Sequence, residues 1–280
     1  MQALGEITAC SCYEITAPSA VRALLGLISG SASFAAHLPT PDLIIGAGHG
    51  THLAMLCARR ARGGRAVVLM RPTLPLHLFD YCLIPEHDNP QPGPGVIPTR
   101  GPLNTIRLSG RRETETGLIL IGGPSRHYRW DSDAVLEQVR ALTAEPGRHW
   151  CISDSPRTPA ATRKALAALG GANREYAPHD RCARGWMKEH MARAAEIWIS
   201  RDSMSMLFEA LTSGAAVGLL DVPARGESRL TRAAGKLIES GLVTTFQDWR
   251  NGARPTAPTA PFNEARRCAA LLLEKIRPGA

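Results

Sequence analysis

The sequence predicts an α/β protein built from two Rossmann-like domains. Short runs of Ile, Leu and Val, each the length of a buried strand, alternate with longer segments of helical periodicity. Strand, helix and strand in succession imply parallel strands joined by right-handed crossovers. The pattern occurs on both sides of a segment, residues 89–116, that is rich in proline, glycine and charge. A chain of 280 residues is long enough for two such domains.

The first domain is predicted over residues 1–110 and the second over residues 111–280. In the first, strands are expected at 42–46, 65–70, 81–85 and 95–98, and a helix at 51–62. In the second, strands are expected at 117–121, 149–153, 196–200 and 216–221. Its helices are expected at 132–144, 158–169, 184–195, 203–212, 228–240 and 263–276. Ligands in such open sheets bind at the carboxyl ends of the strands, so a cleft between the domains is the expected active site.

Composition excludes several classes of protein. A hydrophobic fraction of 44% argues against disorder, and no apolar run approaches the roughly 18 residues of a membrane span. The N-terminus has no basic segment followed by an apolar one, so no secretion signal is expected. Seven cysteines without a C-x-x-C pair indicate free thiols in a reducing compartment. A cytoplasmic protein is therefore predicted, either free or peripheral at the inner membrane.

The chain is basic, with a net charge of +8, and 29 of its 33 basic residues are arginine. Arginine suits phosphate and carboxylate because its planar fork makes paired hydrogen bonds. The balance fits a phosphate-bearing substrate or an anionic membrane surface, although a coding bias explains it equally well. No zinc-finger, RNP or helix-turn-helix pattern is present, so no nucleic acid partner is expected.

The first candidate site follows the strand predicted at 117–121. Gly122 and Gly123 allow the backbone to approach a ligand closely and to expose its amide hydrogens. Ser125 adds a hydroxyl group and Arg126 a forked cation. Together they indicate an anion pocket; a tight turn with surface arginines is the alternative.

The second candidate site follows the strand predicted at 196–200, where Asp202 or Ser203 caps the next helix. Free N–H groups at that helix start, with the hydroxyls of Ser203 and Ser205, suit a diphosphate. Ser205 and Glu209 are four residues apart and hence on one helix face, so Glu209 could accept hydrogen bonds from ribose hydroxyls. An ordinary capped helix with Glu209 in a salt bridge explains the pattern equally well.

Two further motifs follow strands of the first domain. The loop GAGHGT (46–51) contains Gly48, His49 and Thr51, and histidine is the residue type that most often transfers protons in enzyme active sites. A lone loop histidine is more often structural or simply exposed. His49 and His52 have spacing compatible with a metal, but no third ligand is evident, so no metal site is predicted.

Glu86, His87 and Asp88 come directly after another strand, and Asn104 follows them in the chain. Three ionisable side chains and an amide at one rim could bind a substrate or exchange protons with it. A solvated turn is an equally simple alternative.

These segments together resemble the elongated-mitochondria fission family. The resemblance rests on DLIIGAGHGTHLAML, LFDYCLIPEHD, GPLN, LILIGGPSRHYRWD and ISRDSMSMLFEALTSG, which cover nearly the whole chain in order. It implies a B-type glycosyltransferase-like protein that uses nucleotide-diphosphate sugars, as bacterial members are described. The C-terminal half would bind the donor and the N-terminal half the acceptor. The implied donor residues are Ser203, Ser205, Met206 and Glu209, with Gly122, Gly123, Ser125 and Arg126.

The resulting hypothesis is a hexosyltransferase that moves a sugar from a nucleotide diphosphate to a hydroxyl group on a membrane lipid or surface glycan. No metal or other cofactor is expected, because arginines and a helix N-terminus can neutralise the leaving diphosphate. Plant relatives suggest the main alternative, a non-catalytic adaptor for protein or membrane partners; an epimerase of related fold is a third. Family members begin with a strand and a glycine loop that would precede Met1, so the N-terminal domain is expected to lack its first strand.

Overall fold

A computed structural model describes residues 1–108, 110 and 112–276. These residues form two compact units, unit 1 from Met1–Leu103 and the C-terminal segment that starts at Glu264, and unit 2 from Asn104–Asn263. The division differs from the predicted domains 1–110 and 111–280, because the last helix belongs to unit 1 and the boundary falls at residue 104. Each unit contains one parallel sheet, as predicted for an α/β protein.

The elements are numbered along the chain. Within the described residues the strands are β1 Leu43–Ala47, β2 Arg65–Leu69, β3 Tyr81–Pro85, β4 Val96–Thr99, β5 Glu113–Leu120, β6 His149–Ser153, β7 Arg174–Ala177, β8 Ala194–Ser200, β9 Ala216–Leu220 and β10 Thr244–Thr245. The α-helices are α1 Gln2–Gly5, α2 Ala20–Ser29, α3 His52–Arg62, α4 Ser132–Ala144, α5 Ala160–Ala167, α6 Trp186–Arg193, α7 Met204–Ser213, α8 Arg229–Glu239, α9 Phe246–Arg250 and α10 Glu264–Ile276.

Unit 1 is a sheet in the order β1-β2-β3-β4. Its strands carry apolar side chains on both faces, which explains their continuous hydrophobic runs. The last helix, α10, packs Cys268 and Leu272 against Val67 and Ile97 of one face. This contact is the physical reason that α10 belongs to unit 1, although in the chain it follows unit 2.

Unit 2 is a six-stranded sheet in the order β10-β9-β8-β5-β6-β7. The chain runs from β5 outward through β6 to β7, and then returns to the other side of β5 with β8. The strand order therefore reverses between β5 and β8, and such a switch point leaves a crevice at the carboxyl ends of the two strands. Buried side chains cover both faces of the sheet, with Leu118 and Leu120 on one face and Ile119 and Ile121 on the other.

Six of the described strands and helices differ from the sequence prediction. Strand β5 begins at Glu113, inside the polar segment assigned to the linker, and its first three residues are exposed. Helix α2 was not predicted, although its apolar residues recur at helical spacing. The edge strand β7, the two-residue β10 and the short helices α1 and α9 were not predicted either. Short or half-exposed elements carry too few buried residues for hydrophobic periodicity to reveal them.

Candidate functional site

The switch point of unit 2 brings the two main sequence motifs together. Strands β5 and β8 are paired in register, with Leu120 opposite Ile199. The Gly122 amide donates to Ser200 Oγ at 2.7 Å, and the Gly123 amide donates to Asp202 Oδ2 at 3.0 Å. The loop after β5 is therefore hydrogen-bonded to the segment that leads into helix α7, at the carboxyl edge of the sheet.

The two glycines are required by close packing. A Cβ atom on Gly122 would lie 2.3 Å from Asp202 Oδ2, and one on Gly123 would lie 2.1 Å from the carbonyl oxygen of Arg157. The prediction that their amides are free for a phosphate was wrong, since both amides already donate to side chains of the protein. The glycines allow the loop to approach its neighbours, and their N–H groups hold it there.

Asp202 is a buried positioning residue. Its Oδ2 accepts from the Gly123 amide and lies 2.8 Å from Nη2 of Arg157. Arg157 in turn donates to the carbonyl oxygen of Gly123 at 3.2 Å. The side chain of Asp202 is completely buried. Asp202 therefore holds the glycine loop and does not cap α7, whose N-cap is Ser203.

The loop between β6 and α5 supplies residues that sequence analysis missed. Thr158 Oγ1 donates to the carbonyl oxygen of Ile121 at 3.1 Å and also bonds that of Gly122. The Arg157 guanidinium donates to the carbonyl oxygens of Gly123 and Pro124 in the same loop. The segment SDSPRTP (153–159) has the composition of an ordinary turn, so nothing in its local pattern indicated this role.

The start of helix α7 is open. Among the residues that the structure describes, the Ser203 side chain makes no capping hydrogen bond. The first-turn amides of a helix have no intrahelical acceptor and lie at the positive end of its dipole. Ser203 and Met206 are half-buried, and Ser205 is exposed. This helix terminus has the properties of an anion site.

Glu209 lies one turn further along α7 and is partly buried. Burial raises the pKa of its carboxyl group, and the charge of Lys188 opposes that shift. The alternative interpretation of this helix expected Glu209 to form a salt bridge. Glu209 is not among the ion pairs of the described residues. A carboxylate four residues beyond Ser205 can accept hydrogen bonds from a polar ligand bound at the helix start.

Ser125 and Arg126 complete the loop after β5. Ser125 Oγ accepts from the amides of His127 and Tyr128 at 3.3 and 3.2 Å, so the hydroxyl shapes the turn. Arg126 is exposed and its Nε contacts Nε2 of His127 at 2.8 Å. The loop after β9 supports this turn, because the amide of Arg225 donates to the carbonyl oxygen of His127 at 2.8 Å. Arg225 is exposed and adds a further cation that the sequence motifs did not identify.

In unit 1 the predicted residues lie on turns at the carboxyl ends of β1 and β3. His49 begins a 3₁₀ turn after Gly48, whose φ of 82° requires glycine, and its side chain is exposed. Thr51 uses its hydroxyl to donate to the carbonyl oxygen of Gly48 at 2.9 Å. Neighbouring His52 is buried beside Thr73, and this burial lowers its pKa. The described part of the chain contains no cluster of three or more metal-ligating side chains.

Glu86, His87 and Asp88 form a 3₁₀ turn directly after β3, with Glu86 exposed. Asn104 belongs to unit 2, where its amide donates to Thr212 Oγ1 at 3.0 Å and to the carbonyl oxygen of Phe208 at 3.3 Å. Its side chain therefore anchors the last turn of α7, and its place on the acceptor side stays a prediction.

Comparison with solved structures identifies the fold. A candidate UDP-N-acetylglucosamine 2-epimerase from Listeria monocytogenes superimposes with a TM-score of 0.58 and 12% identity, over 95% of this chain and 82% of that one. The Neisseria meningitidis UDP-N-acetylglucosamine 2-epimerase bound to its nucleotide sugar gives 0.53 and 14%, over 98% and 86%. MurG from Acinetobacter baumannii gives 0.50 and 15%, over 99% and 87%. These similarities confirm the predicted fold of two Rossmann-like domains of the B-type glycosyltransferase class.

The sequence comparisons identify the family. A search of curated proteins found no match. No helix in the described ranges is both long and apolar enough to cross a membrane. The family model described as mitochondrial fission ELM1 matches residues 1–276, which is nearly the entire chain. The chain therefore belongs to the mitochondrial fission ELM1 family, as its motifs predicted.

Proposed function

We propose that this protein is a glycosyltransferase that binds a nucleotide-diphosphate sugar at the switch point of unit 2. The observation that carries the proposal is the uncapped start of helix α7, which lies beside the glycine loop at the reversal of strand order. Helix N-termini at this position in open α/β sheets bind phosphate groups. The similarity to a structure that holds UDP-N-acetylglucosamine supports the choice of a nucleotide sugar.

The diphosphate is assigned to the first turn of α7. Backbone amides of that turn and the hydroxyls of Ser203 and Ser205 supply hydrogen-bond donors, with Met206 beside them. Exposed Arg126 and Arg225 supply positive charge. We assign to Glu209 the role of accepting hydrogen bonds from the ribose hydroxyls. Asp202, Gly122 and Gly123 act indirectly, because they hold the loop against the helix.

Transfer requires a base on the acceptor side, and we assign the acceptor to unit 1. His49 is proposed to take the proton of the acceptor hydroxyl, while Gly48, Thr51, Glu86, His87 and Asp88 shape the surrounding turns. The acceptor oxygen then forms a bond to the anomeric carbon, and the bond from that carbon to the diphosphate breaks. The nucleoside diphosphate leaves with its charge stabilised by the α7 dipole and the arginines.

Calorimetric titration with UDP, GDP and their sugars tests the donor site. We expect one nucleotide to bind in a 1:1 ratio. Ser203→Ala should weaken binding about fivefold, the value of one neutral hydrogen bond, and Glu209→Ala about tenfold. Because burial raises the pKa of Glu209, wild-type binding should weaken as the pH falls through that raised pKa. Glu209→Gln should remove this dependence.

Glu239→Ala is the matched control, since this glutamate is exposed on α8. Unchanged affinity in the Ser203 and Glu209 variants would refute the placement of the donor. Absence of nucleotide binding by folded protein would contradict the transferase proposal and support a non-catalytic adaptor. Interconversion of the sugar without any acceptor would show an epimerase instead.

A lipid-borne acceptor is the second part of the proposal, and an exposed apolar face of α2 supports it. Val21, Leu24, Leu25 and Ile28 recur at helical spacing and are 69%, 47%, 62% and 70% exposed. Arg22 lies on the same helix. An apolar helix face beside an arginine, in a chain of net charge +8, suits an anionic lipid surface.

Sedimentation with vesicles tests this face. We expect wild-type protein to bind vesicles that contain phosphatidylglycerol more strongly than vesicles of phosphatidylcholine alone. Leu25→Gln/Ile28→Gln should lower the bound fraction severalfold, because each exposed aliphatic side chain that enters the lipid contributes to binding. Leu108→Gln, at another exposed leucine, is the control. Equal binding by all variants, or dimerisation through α2 in size-exclusion chromatography, would overturn the lipid assignment.

A further inference from the structure

Unit 2 contains a cavity of about 660 Å³ between helix α5 and the edge strand β7. Ile152 and Leu166 form its apolar wall, and both are buried. Its volume falls in the range of small-molecule sites. None of the residues in the proposed donor site lines it.

Most of the charged side chains that line this cavity are basic. Arg163, Lys164, Arg174 and Arg181 contribute to it, against the carboxylate of Asp180. The positive charge of Arg163 is neutralised, because it forms ion pairs with both Asp154 and Asp180. The side chains of Lys164 and Arg181 make no hydrogen bond or ion pair with any residue that the structure describes, and both are exposed. The cavity therefore has an excess of positive charge.

Arg174 adds a buried donor. Its Nη1 donates to Thr143 Oγ1 at 2.9 Å, but Nε is buried and has no hydrogen-bond partner among the described residues. Leaving a buried charged donor unpaired is costly, so such a group normally meets a ligand or water. Gly171, with a φ of 134°, lies against this guanidinium; a Cβ there would be 2.6 Å from Nε. The glycine thus makes room for the arginine.

The cations lie at both ends of strand β7. Arg174 is the first residue of β7, whereas Arg181 lies in the 3₁₀ turn that follows the strand. A four-residue strand is roughly 10 Å long. Cationic side chains that start at opposite ends of such a strand suit an elongated molecule with a negative group at each end.

We propose that this cavity is a second ligand site, distinct from the donor site, that binds an elongated dianion with a phosphate or carboxylate at each end. Lys164 and Arg181 contact one terminal group, and Arg174 contacts the other. The apolar wall of Ile152 and Leu166 faces the body of the molecule. This site does not depend on the transferase proposal.

Calorimetry with hexane-1,6-diyl bisphosphate and with suberate, both in the presence of saturating UDP, tests the proposal. We expect 1:1 binding of at least one probe; binding of the bisphosphate identifies a phosphate ligand and binding of suberate a dicarboxylate. The variant Lys164→Gln/Arg181→Gln should bind that probe at least tenfold more weakly, because it loses two charge-assisted contacts. Both side chains are exposed, so this variant keeps its fold.

Arg140→Gln/Arg250→Gln is the control, since it removes the same charge from exposed positions outside the cavity. Equal weakening in the control would show a general effect of charge and overturn the site. Displacement of the probe by UDP, or no binding of either probe, would also overturn it. If UDP itself does not bind, only the donor site is contradicted. Comparison of the two double variants still shows whether the probe binds in the cavity.

Discussion

Gly123→Ala is expected to destabilise unit 2 by about 3 kcal/mol, at the upper end of the cost of overpacking a rigid site. The new Cβ atom would lie 2.1 Å from the carbonyl oxygen of Arg157 and 2.9 Å from the amide of Thr158. Both are backbone atoms, so no side-chain rotation relieves the contact. The loop must move, and it then loses its hydrogen bond to Asp202 and its clamp by Arg157.

Urea unfolding followed by tryptophan fluorescence measures this effect, because all five tryptophans lie in unit 2. Gly226→Ala is the matched control: a Cβ atom at that position meets nothing within 4 Å. We expect the control to unfold at the wild-type midpoint. A Gly123 variant as stable as the control would show that the loop is not packed as described. Nucleotide affinity of the Gly123 variant should fall together with its stability, since the loop supports the start of α7.

Glu264→Ala is expected to destabilise unit 1 by about 3 kcal/mol, the value of hydrogen bonds to a charged group. The carboxylate is buried, while its Oε1 and Oε2 accept from Nε and the backbone amide of Arg100, each at 2.9 Å. Arg267 adds a hydrogen bond from Nε at 3.0 Å. These contacts fasten the start of α10 to the residue that follows β4.

The contribution of Glu264 to the stability of unit 1 depends on pH. Burial raises the pKa of Glu264, but hydrogen bonds from Arg267 and Arg100 outweigh that effect and hold the pKa below its usual value. The folded carboxylate therefore stabilises unit 1 above the unfolded pKa, and this contribution is lost as the pH falls through the folded pKa. The difference in stability between wild type and Glu264→Ala should be constant near neutral pH and shrink in acid.

Pulse labelling of the buried thiols Cys82 and Cys268, with mass spectrometry to locate the label, reports the opening of unit 1. Labelling of both thiols should accelerate in Glu264→Ala by a factor of about 100, which corresponds to roughly 3 kcal/mol. Glu274→Ala, an exposed position on the same helix, is the control. Labelling at the control rate would contradict the role assigned to Glu264.

Much of the fold was predictable because its strands are buried on both faces. Runs such as GLILI at 117–121 and AVGLLD at 216–221 correspond to β5 and β9 within a few residues. The division between the units was not predictable from order along the chain. Helix α10 packs on β2 and β4, and an amphipathic pattern shows that a helix buries one face without showing which sheet covers it.

The candidate site was predictable in location but not in its internal bonding. Glycines after one strand and a serine-rich helix start after another indicated the two halves of the site, since strand ends at one edge of a parallel sheet converge. The hydrogen-bond partners of Asp202 and Asn104 were not predicted because they are distant in sequence. Asp202 bonds a residue 79 positions away, and Asn104 bonds one 108 positions away.

The sequence by itself determined the α/β class, the two-sheet organisation, the family and the two loops at the switch point. Each of these follows from local signals, namely apolar runs, glycine placement and continuous motifs. Only the tertiary structure decided that the Gly122 and Gly123 amides are already satisfied, that Arg157 and Asp202 hold the loop, and that α10 completes unit 1. These features depend on hydrogen bonds and packing between distant segments, which leave no periodic or compositional trace along the chain.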